Sequence, residues 1–138
     1  MIVSLAFWSL LLCATAIGWH AGDRRDYGIL IAIVSAALLT NILQATLVFP
    51  LENILVTTVN IALLVILWRF AMLSQRYWPI WFTGMHAATC FLGVVALLLP
   101  PGGNRAILEM AAAFWAIPAL SVMTIGLMLD QKAASKIS

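Results

Sequence analysis

Charge is what this sequence has least of. Asp, Glu, Lys and Arg make up only 9% of its 138 residues, where a soluble domain carries about 25%. Hydrophobic residues make up 64%, and the mean hydropathy is +1.09. A chain so poor in charge has too little polar surface to wrap an apolar core in water. A soluble fold is excluded on that ground, and an integral membrane protein is expected.

Other absences narrow the function. Cysteine occurs twice, at Cys13 and Cys90, and both lie inside apolar stretches. They give no disulfide framework and read as small hydrophobes. There is no Ser-His-Asp set, no phosphate-cradling glycine loop and no pair of carboxylates, and the polar connections are too short to build a water-filled cleft. The chain therefore reads as a non-enzyme. Two histidines without tight ligand spacing predict neither a metal site nor a bound cofactor. The net charge of +2 is too small for nucleic-acid binding. The first apolar stretch lacks a basic leader, so it reads as a span and not a cleaved signal, although Ala14-Thr15-Ala16 looks like a cleavage site.

What is present is five long apolar runs, at about residues 2–19, 28–49, 53–73, 79–99 and 106–129. Each is near the ~20 residues an α-helix needs to cross about 30 Å of hydrocarbon. They are continuously apolar and not alternating, which excludes a transmembrane barrel. The predicted fold is all-α, a single transmembrane domain over residues 1–138. The breaks between runs have local causes. A charged turn runs from His20 to Asp26. Pro50 stops the second run, with Glu52 and Asn53 opening the third. Pro79 suits a first helical position, and Pro100-Pro101-Gly102-Gly103 cannot continue a helix.

Five spans put the chain ends on opposite sides. Arg24, Arg25, Arg69, Arg76, Lys132 and Lys136 then share one side, and only Arg105 falls on the other. The positive-inside rule places the N-terminus outside and the C-terminus in the cytoplasm. Trp19, Tyr27, Trp68, Tyr77, Trp78 and Trp81 cluster near the same cytoplasmic interface, where amphipathic rings favour the headgroup level. Within this belt, Arg76, Tyr77, Trp78 and Trp81 are candidates for a rim that docks a partner or a lipid headgroup. Small residues four apart mark packing faces, among them Ala14 with Gly18 and Thr89 with Gly93. Pro118 should kink the fifth span.

Polar groups inside a bilayer are costly and need partners. Asn41 and Gln44 lie three apart on the second span, Asn60 sits on the third, and Glu109 is one turn from Arg105 on the fifth. All four fall in the outer half of the five-span topology. They are expected either to clamp helices together or to line a polar vestibule open to the outside. His86, with Cys90 one turn on, is the histidine lying well inside a span. It reads as an interhelical hydrogen-bonding group or as a contact for a quinone or other ligand.

The segment Arg76-Tyr77-Trp78-Pro79-Ile80-Trp81, followed by an apolar span, resembles a loose family of small, functionally uncharacterised bacterial five-span membrane proteins. In these an Arg-Tyr-Trp-Pro-x-Trp segment opens the penultimate helix. A polar residue precedes it where this chain has Asn60, and an aromatic-x-x-Pro segment like Trp115-Ala116-Ile117-Pro118 lies in the last helix. The resemblance covers the C-terminal half and implies the same layout in a bacterial inner membrane; it implies no activity. Taken together, the residues predict an accessory or assembly subunit of a larger membrane complex, with membrane lipids, other membrane subunits or its own copies as partners. The alternatives are a self-assembling channel or membrane-disrupting effector, and a quinone, lipid or haem binder.

Overall fold

Helices in so apolar a chain end where backbone hydrogen bonding ends, not where hydropathy ends, and the elements show this. The computed structural model describes residues 2–21, 24–48, 50–100 and 102–134. It contains α1 (Ile2–Ala21), α2 (Arg24–Thr46), α3 (Leu51–Leu73), α4 (Trp78–Leu98) and α5 (Gly103–Ala134). All five expected runs are helical. α2 begins four residues before its apolar run, with Asp26 in its first turn, where a carboxylate meets the positive end of the helix dipole. It closes at Thr46, ahead of Pro50, which caps α3 with φ −91° and ψ −9°. α5 continues past Leu129 through Asp130 and Lys132. At 1.5 Å per residue it is roughly 48 Å long.

Four stretches are long and apolar enough to cross a membrane: Asp26–Thr46, Leu51–Leu73, Trp78–Leu98 and Gly103–Asp130. α1 holds a shorter apolar stretch, Leu5–His20. The helices pack in chain order as a closed ring. Each lies against its sequence neighbours, and α5 returns to pack on α1. The α4–α5 contact is the most extensive and α1–α2 the slightest. The short links bring the end of α1, the start of α2, the end of α3, the start of α4 and the end of α5 together. We call this the basic end.

The core is concentrated toward the basic end. It is built from Leu11 and Ala14 of α1, Ile29, Leu30 and Ile33 of α2, Leu63 and Leu67 of α3, Trp78 and Phe82 of α4, and Ala119, Leu120, Met123 and Leu127 of α5. Among the described residues, α1 buries none before Leu11, α2 none after Ile33, and α3 none before Leu63. Only α4 and α5 keep buried residues at the far end: Cys90, Ala96 and Arg105. Pro118 sits at the boundary on α5. It cannot donate to the Phe114 carbonyl, and the buried run Ala119–Leu127 begins just after it. The molecule exposes 8836 Å², where a compact soluble monomer of this mass would expose about 7,000 Å². Among the described residues, the far halves of α1, α2 and α3 bury no side chain.

Two glycines let helices approach closely at the tight end. A Cβ at Gly126 would lie 2.6 Å from Cγ of Trp78, so α5 meets the indole of α4 with no room for a methyl group. A Cβ at Gly18 would instead collide with the Leu30 side chain of α2, whose terminal methyl can rotate away. Gly126→Ala is expected to cost about 1–3 kcal/mol through overpacking. Gly18→Ala should cost much less, since alanine also favours helix by roughly 0.5–1 kcal/mol over glycine. Thermal unfolding in detergent, followed by circular dichroism, checks the order. Equal or inverted losses would contradict this packing.

Candidate functional site

The α3–α4 link is shaped by its own side chains. α3 ends at Ser74, whose backbone turns extended (φ −91°, ψ 138°). The Ser74 hydroxyl accepts the Arg76 backbone N–H at 3.2 Å, which fixes the turn. α4 then starts at Trp78, with Pro79 in its first turn. This places the Arg76 guanidinium against two other helices. Its Nη1 donates to Asp26 Oδ2 at 2.7 Å, and its Nε lies 3.3 Å from Asp130 Oδ2. The Asp26 side chain is only 2% exposed. Asp130, near the C-terminal end of α5, faces the negative pole of its own helix. The guanidinium offsets that repulsion while joining α2, α5 and the α3–α4 link.

The residues next to Arg76 are split between the interior and the surface. Tyr77 is 83% exposed and Trp81 63%. Trp78 turns inward, 5% exposed, with its ring 5.8 Å from Phe70 and its edge on Gly126. The four residues expected to form one rim are thus divided. Arg76 and Trp78 fasten the bundle, and Tyr77 and Trp81 face outward. The indole Nε1 of Trp78 is buried without a hydrogen-bond partner among the described residues, as is the Thr83 hydroxyl. At the same end Trp19 packs on Tyr27 (5.5 Å, 51°), whose hydroxyl donates to the Trp19 carbonyl at 3.1 Å. Arg24 and Arg25 open α2, and Lys136 lies outside the described residues.

The polar groups within the apolar runs separate in the same way. His86 Nε2–H donates to the Asn60 carbonyl at 3.1 Å, joining α4 to α3, and its ring stacks over Phe82 (6.5 Å, 7°). This bond fixes the proton on Nε2. The Asn60 side chain donates to Val56 on its own helix at 2.9 Å. Thr89 reaches the Ala112 carbonyl of α5 at 3.4 Å. Asn41 donates to Ala37 on its own helix at 3.0 Å, and its side chain is exposed. Gln44 is exposed and makes no hydrogen bond among the described residues. Glu109 pairs with Arg105 at 2.8 Å. No hydrogen bond links Asn41, Gln44, Asn60 or Glu109 to one another, and α5 packs against neither α2 nor α3.

The recesses are small. One of about 160 Å³ opens sideways between α1 and α2, lined by Thr15, Trp19, Tyr27, Leu30 and Ser35 among others. A second of about 300 Å³ lies open on the α4–α5 turn. Ligand pockets span about 300–1,000 Å³ and enclose most of the ligand. No group of three or more metal-ligating side chains occurs among the described residues.

Sequence reasoning missed the roles of Asp26, Asp130 and Gly126. The signal for the two carboxylates was present: the five-span threading puts both on the same side as Arg76. No protein family, curated protein or solved structure matches the chain.

Arg76→Met takes the guanidinium from the buried Asp26 carboxylate and should destabilise the bundle by about 3–5 kcal/mol. Adding Asp26→Asn should recover part of that loss. Tyr77→Ala and Trp81→Ala should leave the unfolding midpoint within a degree or two, since surface changes cost about 0.5 kcal/mol or less. The four midpoints, measured in one detergent, check the division of the rim.

Proposed function

We propose that this chain is a five-span integral membrane protein of a bacterial inner membrane, N-terminus outside and C-terminus cytoplasmic, acting as a non-enzymatic accessory or assembly subunit of a larger membrane complex. α1, at 20 residues, is about 30 Å long and completes the set of spans. Of the six basic residues among those described, Arg24, Arg25, Arg69, Arg76 and Lys132 belong to the basic end, which supports placing it in the cytoplasm. The resemblance of Arg76–Trp81 to the bacterial five-span family supports the inner membrane.

The observation that carries the subunit reading is the division of the rim. Arg76 and Trp78 fasten the α3–α4 link and the start of α4 from inside, and Tyr77 on the link and Trp81 in the first turn of α4 face outward. Exposed aromatics held beside basic groups are the residue types that anchor interfaces. His86 already gives its Nε2–H to Asn60, which counts against a haem or quinone at that position.

Native mass spectrometry of the protein extracted gently from its own membrane tests the reading. A mass well above 15.0 kDa that includes a second polypeptide is expected. Tyr77→Ala with Trp81→Ala should reduce that species while the bundle stays folded. A lone chain in the native extract would refute the subunit role.

A further inference from the structure

The far half of α2 is poorly covered. From Leu38 to Val48 no side chain is buried. Thr40, Leu43 and Leu47 are half-buried, three and four apart, and this stripe is the one α2 can turn toward α3. α1 touches α2 only slightly, chiefly through Gly18 with Leu30 and Trp19 with Tyr27 at the basic end. Beyond that point most of the α2 surface is bare, and its exposed residues include Leu38, Asn41 and Ala45, spaced three and four apart, with Val48 just past the helix end. That is the spacing of a helix–helix seam. Gln44 flanks it.

Asn41 is the telling residue. In the membrane-spanning reading it lies roughly 22 Å along α2 from Asp26, well within a hydrocarbon layer about 30 Å thick. One amide N–H bonds to Ala37. The rest of the amide, a carbonyl oxygen and a second N–H, faces outward with no hydrogen-bond partner among the described residues. A lipid tail offers neither donor nor acceptor. A helix carrying another amide offers both.

We infer that the stripe of Leu38, Asn41 and Ala45 is a self-association seam, through which two copies of the chain pair inside the membrane with Asn41 hydrogen-bonded to Asn41 of the second copy. An amide is donor and acceptor at once, so it is its own complement across a two-fold axis. No charged residue lies on α2 beyond Asp26, so two copies meet there without repulsion. Ala45 is small enough to let the backbones approach. The inference rests on the membrane-spanning reading but not on a heterologous partner.

The test is cysteine cross-linking of the full chain in native membrane vesicles, in a Cys13→Ser, Cys90→Ala background. Ala45→Cys should give an oxidised species at twice 15.0 kDa, and Phe91→Cys, 67% exposed on α4, should not. Adding Asn41→Leu should weaken dimerisation roughly 3- to 30-fold, the range of intramembrane hydrogen bonds, while Asn41→Gln should retain it. Asn41 is exposed, so circular dichroism should show each variant folded. Equal cross-linking at Ala45→Cys and Phe91→Cys, or no response to Asn41→Leu, would overturn the seam. A second polypeptide in the native extract together with an uncross-linked Ala45→Cys would overturn the seam alone and leave the subunit reading standing. Cross-linking at Ala45→Cys without any second polypeptide would do the reverse. Release of the chain by alkaline extraction would refute membrane insertion itself and the seam with it.

Discussion

The structure depends on one guanidinium. Arg76 lies outside every helix, yet it holds the start of α2 and the end of α5 through Asp26 and Asp130. Hydrophobic force cannot do this job in lipid, where tails are as apolar as the side chains they would replace. Association of the spans must come from close packing and from polar bonds. The clasp supplies the polar bonds at the end where Gly126, Trp78 and Phe70 supply the packing. The two effects coincide in space, so the bundle is tight at that end and loosens away from it.

Asymmetry of this kind assigns different work to the two ends. The basic end is stiff and can present Tyr77 and Trp81 at fixed positions. In the far half, cohesion falls to a few directed contacts: His86 to Asn60, Thr89 to Ala112, and the Arg105–Glu109 pair on α5. The first two bind α3, α4 and α5 in sequence and leave α2 held chiefly by α3, while the Arg105–Glu109 pair is internal to α5. Asn41 and Gln44, in the far half of α2, are consequently turned outward.

Much of the architecture was legible before any coordinates. Continuous apolar runs of the right length, with prolines and glycines between them, are enough to count five helices and find the breaks. The ends were harder. α2 begins at Arg24 and α5 reaches Ala134 because polar residues continue a helix as well as apolar ones do. The candidate site was only half legible. Type and spacing found Arg76 and the aromatics, but Trp78 and Trp81 look alike in sequence, and only the α4 rotation sends one inward and the other outward. Asn41, Gln44, Asn60 and Glu109 were grouped by depth alone. Depth says nothing about azimuth, and helices apolar on all sides carry almost no directional signal.

The closed ring has a consequence for how the chain is made. α1 finds its larger partner in α5, not in α2. In synthesis α1 thus meets its main neighbour only once α5 has been made. Until then α1 is moored by Gly18 against Leu30 and by Trp19 against Tyr27. Asp26 likewise meets Arg76 well before Asp130 exists. Closure of the ring and completion of the clasp are therefore one late event in biogenesis, and every assembly intermediate before it is an open sheet of helices with an unsealed edge.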